Sequence, residues 1–246
     1  MSEIHVPRQF RGPPISANGG YISGLLAKAV GGRGQAMLRA LIPLDADLAL
    51  QPGEDGAVTL LGLEGQPIGS ARPALATELP EPPTPPSIEA ARAAQEGSVF
   101  AKRPLHRGCF SCCVEREDGE GLGVHVGQVE GAPEGQCAGL WTPHANFADA
   151  DGTVPDEITW AALDCPGSMC WHIKTNGHAG LLGSMVGEVL ERPRAGQTYV
   201  VSAWTQESEG RKFFSGVALH DADGKLLARG NQIWIARAPT PPPAAG

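Results

Sequence analysis

One segment constrains the fold more than any other. Residues 158–171, ITWAALDCPGSMCW, contain a single charged residue, Asp164. Pro155, Asp156 and Glu157 form a typical helix start, because proline suits the first helical position and acidic side chains are favoured at the positive end of the helix dipole. A helix that is apolar on every side has to be buried. The sequence therefore predicts a helix from about residue 155 that other elements wrap.

The segments around this helix have the pattern of antiparallel strands. A lead-in strand is predicted before the helix and four strands after it, at 136–142, 182–191, 197–206, 212–220 and 225–237. The last two are joined by Asp221-Ala222-Asp223-Gly224, which is typical of a hairpin turn because its glycine tolerates positive φ.

The first half of the chain repeats this order in shorter form. Asn18-Gly19-Gly20 precedes an apolar helical pattern over residues 21–30, and strands follow at 35–42, 56–63 and 66–72. Three strands are predicted after this helix, one fewer than after the helix of the second half. The repetition indicates an α+β fold made of two units, each with a helix wrapped by an antiparallel sheet, the first unit being abbreviated.

The boundary between the units is marked by prolines. Residues 79–86, LPEPPTPP, suit neither a helix nor a central strand, because proline lacks the N–H donor and fixes φ. A short Ala-rich helix is predicted after them, from Ser87 to Glu96. We therefore predict a first unit over 1–78, a linker over 79–100, a second unit over 101–237 and a disordered tail over 238–246.

Composition and charge exclude several classes of partner. The net charge is −8 and the pI about 5.4, which argues against nucleic acid or an anionic membrane as a partner. No run approaches 18 apolar residues, and residues 1–5 do not resemble the start of a signal peptide. Three of the six cysteines are crowded together, which suits a reducing compartment. A cytoplasmic protein is the expectation.

Three polar residues are candidates for chemistry. A carboxylate inside a buried helix costs several kcal/mol unless it is hydrogen-bonded or neutralised, and isolated buried carboxylates cluster at active sites. Asp164 is therefore either a general base or a structural residue satisfied by a partner. Thr205 ends an apolar strand face, and Gln232 lies on the uncharged face of the last strand. Thr205 or Gln232 alone is more typical of a polar residue that is hydrogen-bonded within the core. A catalytic role therefore requires that both converge with Asp164.

These residues also resemble a known family. Leu163-Asp164 with Ser168-Met169, and LLARGNQIWIAR at 226–237, resemble the helix and the final strand of the medium-chain acyl-CoA thioesterase II type of double hotdog proteins. Asn18-Gly19-Gly20 resembles the Gly-Gly segment of that family's first half. The resemblance implies a double hotdog with one continuous sheet.

The resemblance also implies a reaction. Asp164, Thr205 and Gln232 would together activate a water that hydrolyses an acyl-CoA or related thioester, and Asn18, Gly19 and Gly20 would bind the substrate and its oxyanion. No metal or organic cofactor is expected. The alternatives are a non-catalytic hotdog that binds acyl-CoA or another apolar ligand, and a dehydratase or hydratase that would use His172 or His178. Exposed sheet edges favour a homo-oligomer.

Two features depart from the simple pattern. Pro166 is expected to kink or end the helix two residues after Asp164, because its ring clashes with the preceding turn. The cluster of Cys109, Cys112 and Cys113 contains one Cys-x-x-Cys but no second one, which four-cysteine zinc sites normally have. We therefore expect a loop that packs against the cleft rather than a zinc site.

Overall fold

The computed structural model describes residues 2–79, 81–177 and 180–236. The first unit contains one helix and five strands, in the order β1 (Ser2–His5), α1 (Gly19–Ala29), β2 (Gly34–Leu38), β3 (Asp47–Pro52), β4 (Val58–Leu61) and β5 (Pro67–Pro73). Helix α2 (Ile88–Glu96) follows in the linker. The second unit contains β6 (Gly127–Gln128), β7 (Gln136–Trp141), α3 (Asp156–Ala162), α4 (Asp164–Thr175), β8 (Gly180–Val189), β9 (Tyr199–Glu209), β10 (Lys212–His220) and β11 (Leu226–Ala236).

All these strands form one antiparallel sheet. Its order is β1-β3-β4-β5-β2-β8-β11-β10-β9-β7-β6. In each unit the strand before the helix pairs with the second strand after it, and the strand directly after the helix lies beside the last strand. The two units join where β2 pairs with β8, from Gly34 opposite Gly187 to Met37 opposite Ser184. The predicted duplication and continuous sheet are confirmed.

The first unit differs from the prediction in one respect. No strand is missing from it, because β3 occupies Asp47–Pro52 and β1 pairs with it at the edge of the sheet. The sequence pattern missed both, because β1 has only four residues and β3 is bounded by Pro, Asp and Gly turn residues. The unit is abbreviated in strand length instead: β1–β5 have four to seven residues, whereas β8–β11 have nine to eleven.

The helices of the two units cross with their backbones in contact. A Cβ atom at position 20 would lie 2.4 Å from the carbonyl oxygen of Trp160 and 2.7 Å from Cβ of Asp164. One turn later, a Cβ at position 24 would lie 2.6 Å from Cα of Glu157. Protein interiors do not accommodate such overlap without shifts. Glycines at these positions therefore bring the start of α1 directly against Asp164.

The long buried helix is interrupted one turn before the proline. Helix α3 ends at Ala162, Leu163 separates the two segments, and α4 begins at Asp164 and continues through Pro166 to Thr175. Pro166 is the third residue of α4. In the first turn of a helix a backbone N–H has no intrahelical partner, so a proline there removes nothing. The kink thus makes Asp164 the first residue of a new helix.

The linker contains the predicted helix. Ser87 caps α2 by accepting a hydrogen bond from the amide of Ala90, and Ala91 and Ala94 are buried against the second unit near β7. No helix in the described ranges is long and apolar enough to cross a bilayer. The predicted tail, 238–246, lies outside the described residues.

Candidate active site

The carboxylate of Asp164 lies where the two units meet. The residue is 3% exposed, and its Oδ2 accepts a hydrogen bond of 2.6 Å from Nδ2 of Asn18. Its Oδ1 is buried and has no hydrogen-bond partner within the described residues. A buried oxygen that lacks a partner costs free energy, and such a group calls for an explanation.

The start of α1 provides the polar surroundings of this carboxylate. Asn18 is the N-cap of α1: its Oδ1 accepts a hydrogen bond of 2.9 Å from the amide of Tyr21, while its Nδ2 donates to Asp164. The N-terminus of a helix carries free N–H groups and a partial positive charge. Asn18, Gly19 and Gly20, which the sequence grouped as substrate-binding, therefore do lie beside Asp164. Their role in binding a substrate or an oxyanion stays a prediction.

Burial dominates the protonation of Asp164. Desolvation raises its pKa to about 7, and the negative charge of a Cys109 thiolate acts in the same direction. The amides of Gly20 and Gly19 and the side chain of Asn18 oppose this shift without overcoming it. The amides of Gly19 and Gly20 act here by proximity, because neither makes a hydrogen bond of good geometry to Oδ1. A carboxyl whose pKa is near neutrality is suited to general-base catalysis.

Asp164 lines a cavity of about 360 Å³. Asn18, Gly19, His106, Cys109 and Cys165 lie on its wall with Asp164. The remaining wall is largely apolar and comes from both units, including Leu38, Leu41, Ile42, Leu181, Leu182, Trp234 and Ile235. A concave apolar site with a few convergent polar groups is typical of a small-molecule binding site.

Gln232 lies beside Asp164 but does not bind its carboxylate. Its Nε2 donates to the backbone carbonyls of Leu163 and Asp164, at 2.8 and 3.2 Å, and its Oε1 accepts from Nε1 of Trp234 at 2.9 Å. The side chain is fully buried, and both its Nε2 and its Oε1 are hydrogen-bonded. It fixes the start of α4 against the sheet, so it positions Asp164 and does not touch its carboxylate.

Thr205 lies away from Asp164, which corrects the expected convergence. Its Oγ1 accepts a hydrogen bond of 3.2 Å from Nζ of Lys174, ten residues beyond Asp164 on α4 and hence about 15 Å along the helix. In the sheet Thr205 is opposite Ser215, which is opposite Gln232. Two strand spacings, about 10 Å, separate Thr205 from Gln232. The Asp–Thr–Gln arrangement is therefore not assembled.

The cysteine cluster has a different membership from the one predicted. The thiols of Cys109, Cys112 and Cys165 lie together, and Sγ of Cys109 is 3.7 Å from Sγ of Cys165. Sγ of Cys113 instead accepts a hydrogen bond from the amide of Gly108. Nothing in the sequence pattern pointed to Cys165, since it is 53 positions beyond Cys112 along the chain.

The three thiols differ in acidity. Hydrogen bonds from the thiols of Cys112 and Cys165, together with nearby backbone amides, hold the pKa of Cys109 well below its usual value. The pKa values of Cys112 and Cys165 are raised, first of all by their hydrogen bonds to Cys109. Cys109 is therefore the member of the trio that ionises most readily.

Of the two histidines of the hydratase alternative, His172 does not reach the carboxylate. His172 lies eight residues after Asp164 on α4, about 12 Å along the helix, with its ring against Phe100. His178 lies outside the described residues.

The contacts of Gln232 and Thr205 predict opposite outcomes for their removal. Gln232→Ala removes two hydrogen bonds to helix carbonyls and leaves the Trp234 N–H without its acceptor in the core, so we expect a loss of about 2–4 kcal/mol in the free energy of unfolding. Thr205→Ala removes one hydrogen bond to a lysine near the surface, so we expect less than about 0.5 kcal/mol. Urea unfolding of both variants measures this. Equal losses of stability in the two variants would contradict the structural role assigned to Gln232.

Comparisons with known proteins place the fold. No protein-family model matches the chain, and no curated protein does. Among solved structures, a proposed thioesterase from Novosphingobium aromaticivorans superposes with a TM-score of 0.62 at 17% identity, over 96% of this chain and 95% of the other. A hot dog fold protein of unknown function from Alicyclobacillus acidocaldarius superposes with a TM-score of 0.63 at 14% identity, over 97% of this chain and 93% of the other. The chain has the double hotdog fold. A tesB protein from Mycobacterium avium subspecies paratuberculosis superposes with a TM-score of 0.61 at 14% identity, over 95% of this chain and 91% of the other.

Proposed function

We propose that this double hotdog hydrolyses a thioester with a water activated by Asp164. The observation that carries the proposal is the state of this carboxylate. It is buried in a cavity between the two units, one of its oxygens has no partner, and its pKa is raised to about 7. The proposed thioesterase among the structural neighbours supports the same class of reaction.

The steps follow from the groups around the cavity. The Asp164 carboxylate accepts a proton from water as the water oxygen attacks the thioester carbonyl carbon. Negative charge then develops on the carbonyl oxygen, and the N–H groups at the start of α1 are suited to stabilise it. When the carbon–sulfur bond breaks, the proton held by Asp164 passes to the departing thiolate. The products are a carboxylic acid and a free thiol.

An acyl-CoA is the substrate class that the cavity supports best. The largely apolar wall suits an acyl chain. Arg39 lies on the wall, is exposed, and forms no ion pair within the described part of the chain. Lys102, Arg103 and Arg107 are exposed on the segment around His106. These cations suit the phosphates of coenzyme A, although the net charge of the whole protein is negative.

A non-catalytic acyl-CoA binding protein is the second candidate. The observation that favours it is the position of Thr205 and Gln232, neither of which binds the Asp164 carboxylate. A base oriented only by Asn18 would be less well held than one with three partners.

A panel of acyl-CoA substrates of increasing chain length tests the proposal. The product should be followed as free coenzyme A by chromatography and mass detection, because a chromogenic disulfide would also react with any of the six buried free cysteines that becomes accessible. We expect turnover of at least one chain length. Tight binding of acyl-CoA by calorimetry without any turnover would replace hydrolysis with the binding function.

We also propose a homo-oligomer. Strands β1 and β6 form the two edges of the sheet, and strand edges are surfaces that partners commonly cover. Light scattering should give a mass that is a multiple of the 25.6 kDa of one chain. A mass of one chain across a wide concentration range would contradict it.

A further inference from the structure

The trio of Cys109, Cys112 and Cys165 is not used by the proposed reaction. All three side chains are buried, and their sulfur atoms lie within 4.8 Å of one another. Buried cysteines in a core usually pack against apolar groups separately. Cys170, by contrast, donates to the backbone carbonyl of Gly167, whereas the trio places three thiols around one point.

The spacing of the thiols matches a metal site. Zinc–thiolate bonds of about 2.3 Å in a tetrahedron place neighbouring sulfur atoms about 3.8 Å apart. The sulfur atoms of Cys109 and Cys165 are 3.7 Å apart, and the other two pairs are within 4.8 Å. Small side-chain rotations would bring all three to the required distance.

The backbone around the trio is held from several sides. The amide of Phe110 donates to the carbonyl of Arg11 at 2.7 Å, and the amides of Leu122 and Val124 donate to the carbonyls of Phe110 and Ser111 at 2.8 Å each. These bonds fix the turn that carries Cys109 and Cys112. Cys165 lies in the first turn of α4, which Gln232 holds. The ligands are therefore preorganised, which favours binding over a flexible set of thiols.

The fourth side of the trio faces the cavity. Cys109 and Cys165 both line it, next to Asn18 and Asp164. Nδ2 of Asn18 is 3.7 Å from Sγ of Cys109 and 2.6 Å from Oδ2 of Asp164. A metal held by three thiolates would thus have an open position toward a polar part of the cavity, where water or a ligand thiolate can enter.

We propose that Cys109, Cys112 and Cys165 bind a thiophilic metal ion, Zn²⁺ or Cu⁺, with its open position directed into the cavity. Cysteine thiolates prefer both ions. Binding forms three metal–sulfur bonds and releases to solvent the proton of each thiol that is still protonated. The single Cys-x-x-Cys of the sequence, Cys109 and Cys112, is completed by Cys165 from α4 instead of by a second Cys-x-x-Cys. The inference does not depend on the proposed hydrolysis.

Metal binding by the reduced protein tests this. Zn²⁺ is titrated in competition with a chromophoric chelator, Cu⁺ is titrated under anaerobic conditions with a copper-specific chelator, and the metal content of the isolated protein is measured. We expect one equivalent of one ion. Cys112→Ser should weaken its binding by more than about 100-fold, since loss of even an outer partner of a ligand costs 10–100-fold.

Cys113→Ser is the matched control. Its thiol is buried in the same loop but accepts a hydrogen bond from Gly108, so the variant should bind the metal as the wild type does. Because Cys112→Ser is in the core and its folding is not assured, X-ray absorption on the metal-loaded wild type gives an independent answer. Three sulfur ligands at about 2.3 Å are expected.

Three outcomes would overturn the proposal. Equal affinities of Cys112→Ser and Cys113→Ser would exclude the trio as ligands, and so would fewer than three sulfur ligands in the absorption spectrum. A protein that binds neither ion and instead loses two hydrogens by intact mass under mild oxidation would identify the pair 3.7 Å apart as a disulfide former.

Discussion

Asp164→Asn is expected to abolish most of the thioesterase activity and, at the same time, to stabilise the protein above pH 7. Asparagine keeps the size of the side chain and can still accept the hydrogen bond from Asn18, but it cannot take a proton from water. Loss of a general base typically costs about 10²–10⁴-fold in rate. We expect that loss in kcat/KM, with circular dichroism unchanged.

The gain in stability follows from the raised pKa. Desolvation raises the pKa of Asp164 from 3.8 to about 7 in the folded protein. Between these two values the folded state holds a proton that the unfolded state has lost, so stability falls as the pH rises through this window. Above pH 7 the full cost is present, at most about 4 kcal/mol at about 1.36 kcal/mol for each pKa unit. Asparagine does not ionise and avoids this cost.

Denaturant unfolding at pH 5 and pH 8 measures this effect. The wild type should lose stability between these pH values relative to Asp164→Asn. Asp223→Asn, at an exposed position in the turn after β10, is the control and should follow the wild type. In the active enzyme kcat/KM should rise with pH and level off above about 7, where Asp164 is ionised. Parallel stability curves for wild type and Asp164→Asn would contradict the raised pKa.

Glu188→Ala is expected to cost about 3 kcal/mol in the free energy of unfolding. Glu188 is 4% exposed on β8, and its two carboxylate oxygens accept hydrogen bonds from Arg33 at 2.6 Å and Arg229 at 2.9 Å. Arg33 precedes β2, so the ion pair joins the two units next to the strands that connect them. Removal of one partner from a buried ion pair is strongly destabilising, because the remaining charge stays desolvated.

The size of the stability loss in Glu188→Ala depends on whether Arg33 and Arg229 keep another ion-pair partner. The side chain of Arg229 is 10% exposed but also pairs with Glu81, at 2.7 Å, which keeps the loss near the lower end of the 3–5 kcal/mol typical of buried pairs. Glu191→Ala is the control, because its ion pair with Lys225 is exposed on both sides and should contribute less than about 1 kcal/mol. Urea unfolding compares the two variants. A loss at position 188 no larger than at 191 would contradict the buried network.

Much of the architecture could be predicted from local patterns. An almost uncharged segment around Asp164 has one physical solution in water, which is burial, and alternating strands before and after it require a wrapping sheet. The repetition of this order in both halves predicted the duplicated unit. The helix within the linker followed from its alanines. The pattern that predicts each single element lies within a few residues of the sequence.

The composition of the site was decided by tertiary structure. The two-residue period of a strand places Thr205 and Gln232 on the face toward the helix, but it does not say which turn of α4 crosses each strand. That depends on the crossing angle and on the kink at Leu163. As a result Gln232 meets the helix start, and Thr205 meets Lys174.

Contacts between residues far apart in the sequence determine the other neighbours of Asp164 and the membership of the cysteine trio. Asn18 reaches Asp164, and Cys165 joins Cys109 and Cys112, across separations of 146 and 56 positions for the bonded pairs. Gly20 permits this approach because a larger residue would overlap Trp160. The sequence by itself determined that Asp164 is buried in a wrapped helix. Only the packing of α1 against that helix decided its neighbours, because side chains so distant along the chain meet only once the two units have packed together.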